Sequence, residues 1–125
     1  MPRTLLTLVG LIYLTFGCWC LLAPTVAARA VGFDFLDASG RSEFLVVYGG
    51  LEIGLGLFFV RAARTEEWVR PALVVLFLTG ACLALTRLAT LLALSGIRPL
   101  TWSLFVGEIL MAAAGAWGLH RTRPR

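Results

Sequence analysis

Four apolar stretches of about 18–23 residues take up most of this chain, and each is long enough to cross a ~30 Å hydrocarbon core as a helix. They run from about Leu5 to Ala23, Phe44 to Ala63, Ala72 to Leu94 and Trp102 to Leu119. A backbone in lipid must satisfy its hydrogen bonds internally, so stretches of this kind become helices. The 125 residues are 59% apolar and 14% charged, with a mean hydropathy of +0.89. A soluble domain has about 45–50% apolar and about 25% charged residues. The predicted fold class is therefore all-α, an integral membrane four-helix bundle forming one domain over residues 1–125. Pro24 stops the first span, Pro71 falls in the first turn of the third, and Gly96 follows its end.

The first stretch is read as a retained span. Arg3 and the Ala28-Arg29-Ala30 triplet have the form of a cleaved leader, but the apolar run exceeds the usual length of about 7–15 residues. It also contains Tyr13 and Trp19. With the N-terminus inside, Arg3, Arg61, Arg64, Arg70, Arg121, Arg123 and Arg125 lie inside and Arg29, Arg41 and Arg98 outside. This bias puts both termini in the cytoplasm. Trp19 and Trp102 then fall at the outer interface, Trp68 and Trp117 at the inner one.

All eleven basic residues are Arg, and Lys, Asn and Gln are absent. A GC-rich genome accounts for this and points to a bacterium, hence to the cytoplasmic (inner) membrane. The net charge of +4 does not imply nucleic acid, because the cations flank apolar segments and form no basic face. Residues 25–43 form the one longer connector, on the outer side, and carry Asp34, Asp37 and a Ser39-Gly40 turn signal. Its Phe33, Phe35 and Leu36 suit an interfacial or re-entrant piece; a solvated connector is the equal alternative.

Glu52, Arg87 and Glu108 interrupt the apolar spans. Each costs about 2.5–3.5 kcal/mol at a helix centre, and such residues mark functional paths in membranes by default. In the topology above all three lie about 10–13 Å below the outer surface. A Glu52–Arg87–Glu108 cluster is thus feasible, its planar guanidinium engaging carboxylates. Two Glu and one Arg sum to −1, so one Glu is expected to be protonated. Tyr48, one α-helical turn before Glu52, and Thr86 and Thr90 beside Arg87 extend a polar stripe. Such a network can equally be structural, fixing helix register. Gly49, Gly50, Gly54 and Gly56 are candidate helix-packing positions. Gly50 and Gly54 make a GxxxG on another face than Glu52, placed here as a seam within the bundle.

Other chemistries lack their residues. Cys18, Cys20 and Cys82 contain no CxxC, and Cys18 and Cys20 diverge by about 200° on a helix, so they read as apolar filler. His120 is the lone His, at an inner helix end, which leaves no bis-histidine haem site. No metal spacing, phosphate loop, dinucleotide fingerprint or serine-hydrolase elbow occurs, and no cofactor is expected.

The run Ser42-Glu43-Phe44, then Tyr48-Gly49-Gly50-Leu51 and Gly54-Leu55-Gly56, forms a recurrent pattern with Thr86-Arg87-Leu88-Ala89-Thr90 and Glu108. Together these resemble the small bacterial four-helix membrane proteins grouped as domain of unknown function 4345, over nearly the whole chain. The chain also looks distantly like DoxX-type four-helix membrane proteins, some linked to quinone or redox systems. The resemblance implies fold and membrane location, and no activity.

The leading expectation is a binding or carrier protein for a small amphiphile of lipid or quinone type, with a pocket lined by Tyr48, Glu52, Arg87, Thr90 and Glu108. The alternative is a structural or accessory subunit that docks a membrane-protein partner or a second copy of itself through its Gly-rich faces. An enzyme would need Glu52 or Glu108 as general base with no evident nucleophile, and is disfavoured.

Overall fold

Helix stop signals divide the apolar sequence. In the computed structural model, which describes residues 1–122, α1 spans Pro2–Leu22. It ends where Ala23 leaves helical geometry (φ −135°, ψ 58°), because a residue before proline is pushed out of the α region. Pro24 then opens α2, Pro24–Val31, at the position where its missing N–H removes no helical bond. Gly32 closes α2 in the left-handed region (φ 94°). Gly32 N–H donates to Arg29 O and Phe33 N–H to Ala28 O, the paired bonds of a Schellman stop.

The second apolar helix starts earlier than predicted. Asp37 takes an extended conformation and its Oδ1 accepts from Gly40 N–H at 2.9 Å, an N-cap that begins α3 (Ala38–Phe44). Ser39 and Gly40, expected in a turn, therefore lie in the first helical turn. Helix α3 runs into a π-helical segment, π1 (Leu45–Leu51), and on into α4 (Glu52–Arg64). The continuous Ala38–Arg64 run is the second of four helices long and apolar enough to cross a membrane.

Helix α5 covers Glu66–Ala93, and Pro71 is its sixth residue, inside the helix and beyond the first turn where it was expected. Glu66 and Glu67 occupy the first turn, where the helix dipole favours carboxylates. Gly96 (φ 75°) turns the chain, and Pro99 opens α6, Pro99–Arg121. The described residues include no strand. Arg123 and Arg125, counted above toward the inner surface, lie outside the described residues.

The chain forms two compact units, Arg3–Arg64 and Thr65–Arg125. In the first, α1 meets the second apolar helix through glycines seven residues apart on each side. A Cβ on Gly10 would stand 2.8 Å from Gly56 O, one on Gly56 2.9 Å from Gly10 O, and one on Gly17 3.0 Å from Gly49 O. A Cβ on Gly49 would strike Leu21. The seam is built from Gly49 and Gly56. Within this unit Gly50 and Gly54, expected to form it, have nothing within 4 Å of an added Cβ.

The connector is a packed part of this unit. Cys20, Ala27, Ala28 and Phe44 form a buried core, with Phe16, Val31, Phe35 and Tyr48 against it. The Phe44 and Tyr48 rings stack at 4.8 Å, and Phe33 meets both edge-on. Ala27, Ala28, Val31 and Phe35 fold it by packing with Cys20 of α1 and Phe44 of α3, whereas Phe33 and Leu36 stay exposed.

In the second unit α5 and α6 form an antiparallel hairpin with the same close approach. A Cβ on Gly80 would lie 2.7 Å from Ala112 N, and one on Gly115 2.7 Å from Phe77 N. Hydrocarbon gives helices little hydrophobic reason to associate, so small residues that admit van der Waals contact hold them together. Gly56→Ala should therefore destabilise the protein by about 1–3 kcal/mol, while Gly54→Ala should leave its thermal midpoint in detergent micelles unchanged.

Candidate functional site

The α5–α6 hairpin brings Arg87 and Glu108 together. Arg87 is late in α5 and Glu108 is in the third turn of α6, so antiparallel pairing sets them at one depth. Arg87 Nε donates to Glu108 Oε1 and Oε2 at 2.9 and 2.8 Å, and Nη2 donates to Oε1 at 2.6 Å. This is a side-on fork in which both carboxylate oxygens accept, the strongest form of carboxylate–guanidinium contact. Glu108 is the one buried charged residue among those described, and the Arg87 side chain keeps 26% exposure.

Close helix packing makes the pair possible. An added Cβ on Gly80 would lie 3.2 Å from Glu108 O, so the α6 backbone touches α5 at the turn that carries the carboxylate. Two α5 turns further on, Arg87 reaches back across the narrow gap.

The other expected site residues have neighbours within their own units. Thr90 Oγ1 donates to Arg87 O at 2.8 Å, so its hydroxyl is engaged with the backbone of its own helix. Tyr48 lies in π1 with its ring in the Phe33–Phe44 cluster. Glu52 opens α4 beside α1, its Cβ 3.1 Å from the position a Cβ on Gly17 would take. Within its own unit Glu52 makes no hydrogen bond or ion pair to a described residue.

Tyr48 and Glu52 keep a common side of the second helix, since a four-residue step ends within about 40° of a full turn in either α or π winding, and π1 changes only the local winding between them. Gly49 and Gly50, without Cβ atoms, sit inside it. No periodicity argument exposes a π segment. The adjacent glycines after Tyr48 are the only signal for it in the sequence.

Two hollows are lined by residues other than Arg87 and Glu108. One, of about 510 Å³, runs along α1 and is lined by Leu8, Leu11, Ile12, Thr15, Phe16 and Trp19. The other, of about 250 Å³, lies between α5 and α6 at Arg70, Phe77, Ala116, Leu119 and His120.

Removing one partner of a buried pair leaves the other charge uncompensated. Arg87→Leu or Glu108→Leu alone should cost about 3–5 kcal/mol, whereas the double substitution should recover much of that loss. A double-mutant cycle of unfolding in detergent checks this, and additive losses would show that the two side chains do not act as a pair.

No curated protein and no solved structure matches this chain. A family model does match, over residues 1–119. The chain is thus a multi-pass membrane protein of four spanning-length helices, and it belongs to the family described as domain of unknown function DUF4345.

Proposed function

We propose that this protein binds a small amphiphile whose anionic or polar head group competes with Glu108 for Arg87. The observation that carries the reading is the side-on Arg87–Glu108 fork inside two apolar helices. Glu108 is held by charge-assisted hydrogen bonds that another anionic oxygen can make equally well, so an incoming head group can replace it on Arg87. The surrounding apolar helix surface suits the tail of a lipid or quinone-type molecule. Arg87 is the binding residue and Glu108 the internal stand-in for the ligand. Thr90 acts only by supporting the α5 backbone, and Tyr48 and Glu52 serve the first unit. The arginine bias supports a bacterial inner membrane with both termini in the cytoplasm.

A second reading has its own observation. Gly50 and Gly54 leave a small-residue face of the second helix without a neighbour inside its unit, which suits docking of a partner helix in an accessory-subunit role.

Native mass spectrometry of the protein released from its own membrane separates the readings. A small amphiphile retained by the wild type and lost from Arg87→Ala supports binding at the pair. Unchanged retention in Arg87→Ala overturns it, and a co-purified membrane protein that is lost from Gly54→Leu favours the accessory role.

A further inference from the structure

The hollow between α5 and α6 lies at the other end of the hairpin from the ion pair. Arg70 precedes Arg87 by seventeen residues of α5, about 25 Å along the helix. We propose that this hollow is a site for an anionic phospholipid, with the phosphodiester on Arg70 and His120 and an acyl chain against Phe77 and Leu119.

The lining has the polarity of such a lipid. Arg70 and His120 supply N–H donors at the helix ends, and Phe77, Ala116 and Leu119 supply an apolar wall. Phe77 lies two turns deeper along α5 than Arg70. The guanidinium is held in place, because Arg70 Nη1 donates to Thr122 O at 3.1 Å and ties the end of α6 to α5. Among the described residues neither Arg70 nor His120 is paired with a carboxylate. Glu66 and Glu67, the acidic groups on the same end of α5, lie in its first turn, where the helix dipole accommodates them.

The depth also fits. Trp68 and Trp117 are exposed at this end of the hairpin, and the Arg121 guanidinium lies 5.5 Å over the Trp117 ring. Exposed Trp and Arg together mark the level of lipid head groups. Basic hollows between membrane helices at that level suit anionic head groups. A free anion would use the two donors and leave the apolar wall unoccupied; a phospholipid uses both.

The test is native mass spectrometry of purified protein in micelles containing equal amounts of phosphatidylglycerol and phosphatidylcholine. The wild type should retain phosphatidylglycerol preferentially. Arg70→Gln and His120→Ala should each reduce that preference roughly fivefold, and Arg98→Gln, at the other end of the hairpin, should preserve it. Arg70 also holds Thr122, so a melting curve accompanies that variant; His120→Ala, which lacks that contact, decides the matter if Arg70→Gln does not fold. The proposal is overturned by equal retention of the two lipids, by a preference unchanged in His120→Ala, or by displacement of the lipid with inorganic phosphate. An equal loss of the preference in Arg98→Gln also overturns it, because the selectivity would then follow net charge and not this hollow.

Discussion

Close backbone contact between helices is the constraint on which the rest of the structure depends. In lipid, hiding apolar surface from water contributes little, so two helices stay together only where their atoms touch over a long seam. In the first unit Gly10 and Gly17 meet Gly56 and Gly49, and in the second Gly80 and Gly115 meet the Ala112 and Phe77 backbones. A side chain at these positions would clash with the facing helix and push the two apart, forfeiting part of their dispersion contact.

The ion pair is a consequence of that contact. Side-on pairing of Arg87 with Glu108 needs donor–acceptor distances near 2.6–2.9 Å, and a wider interhelical gap would leave two desolvated charges apart. The fork and the Gly80 and Gly115 contacts agree on one register, in which the same residues of α5 and α6 face each other. One end of the hairpin thus carries a paired charge inside the apolar zone, while the other carries Arg70, His120 and Arg121 with exposed Trp residues at its rim.

Much of the fold was legible because hydropathy and proline signals act locally. Pro24 ends the first span and Gly96 follows the third, as the sequence reading has them, whereas the helix start at Pro99 and the helix stop at Gly32 come from the structure. The connector was half legible: its apolar residues permitted a packed element, but only the structure shows that Ala27, Ala28, Val31 and Phe35 pack with Cys20 and Phe44 while residues 32–34 and 36–43 stay exposed. At the candidate site, charge and depth pointed to Arg87 and Glu108, because antiparallel helices of similar length bring equal depths together. The partners of Tyr48 and Thr90 were not legible, since the Tyr48 ring meets Phe33 and Phe44 and the Thr90 hydroxyl donates to its own helix backbone.

The sequence by itself determined the solvent, the four spans and most of their ends, since each follows from runs of apolar residues and from backbone restrictions at proline and glycine. Tertiary structure alone decided which glycines are seams. Gly49 and Gly50 are adjacent and chemically identical, yet one presses on Leu21 and the other meets nothing in its unit. Helix phase through Leu45–Leu51 makes that choice, and phase depends on backbone winding that residue identity does not encode one position at a time.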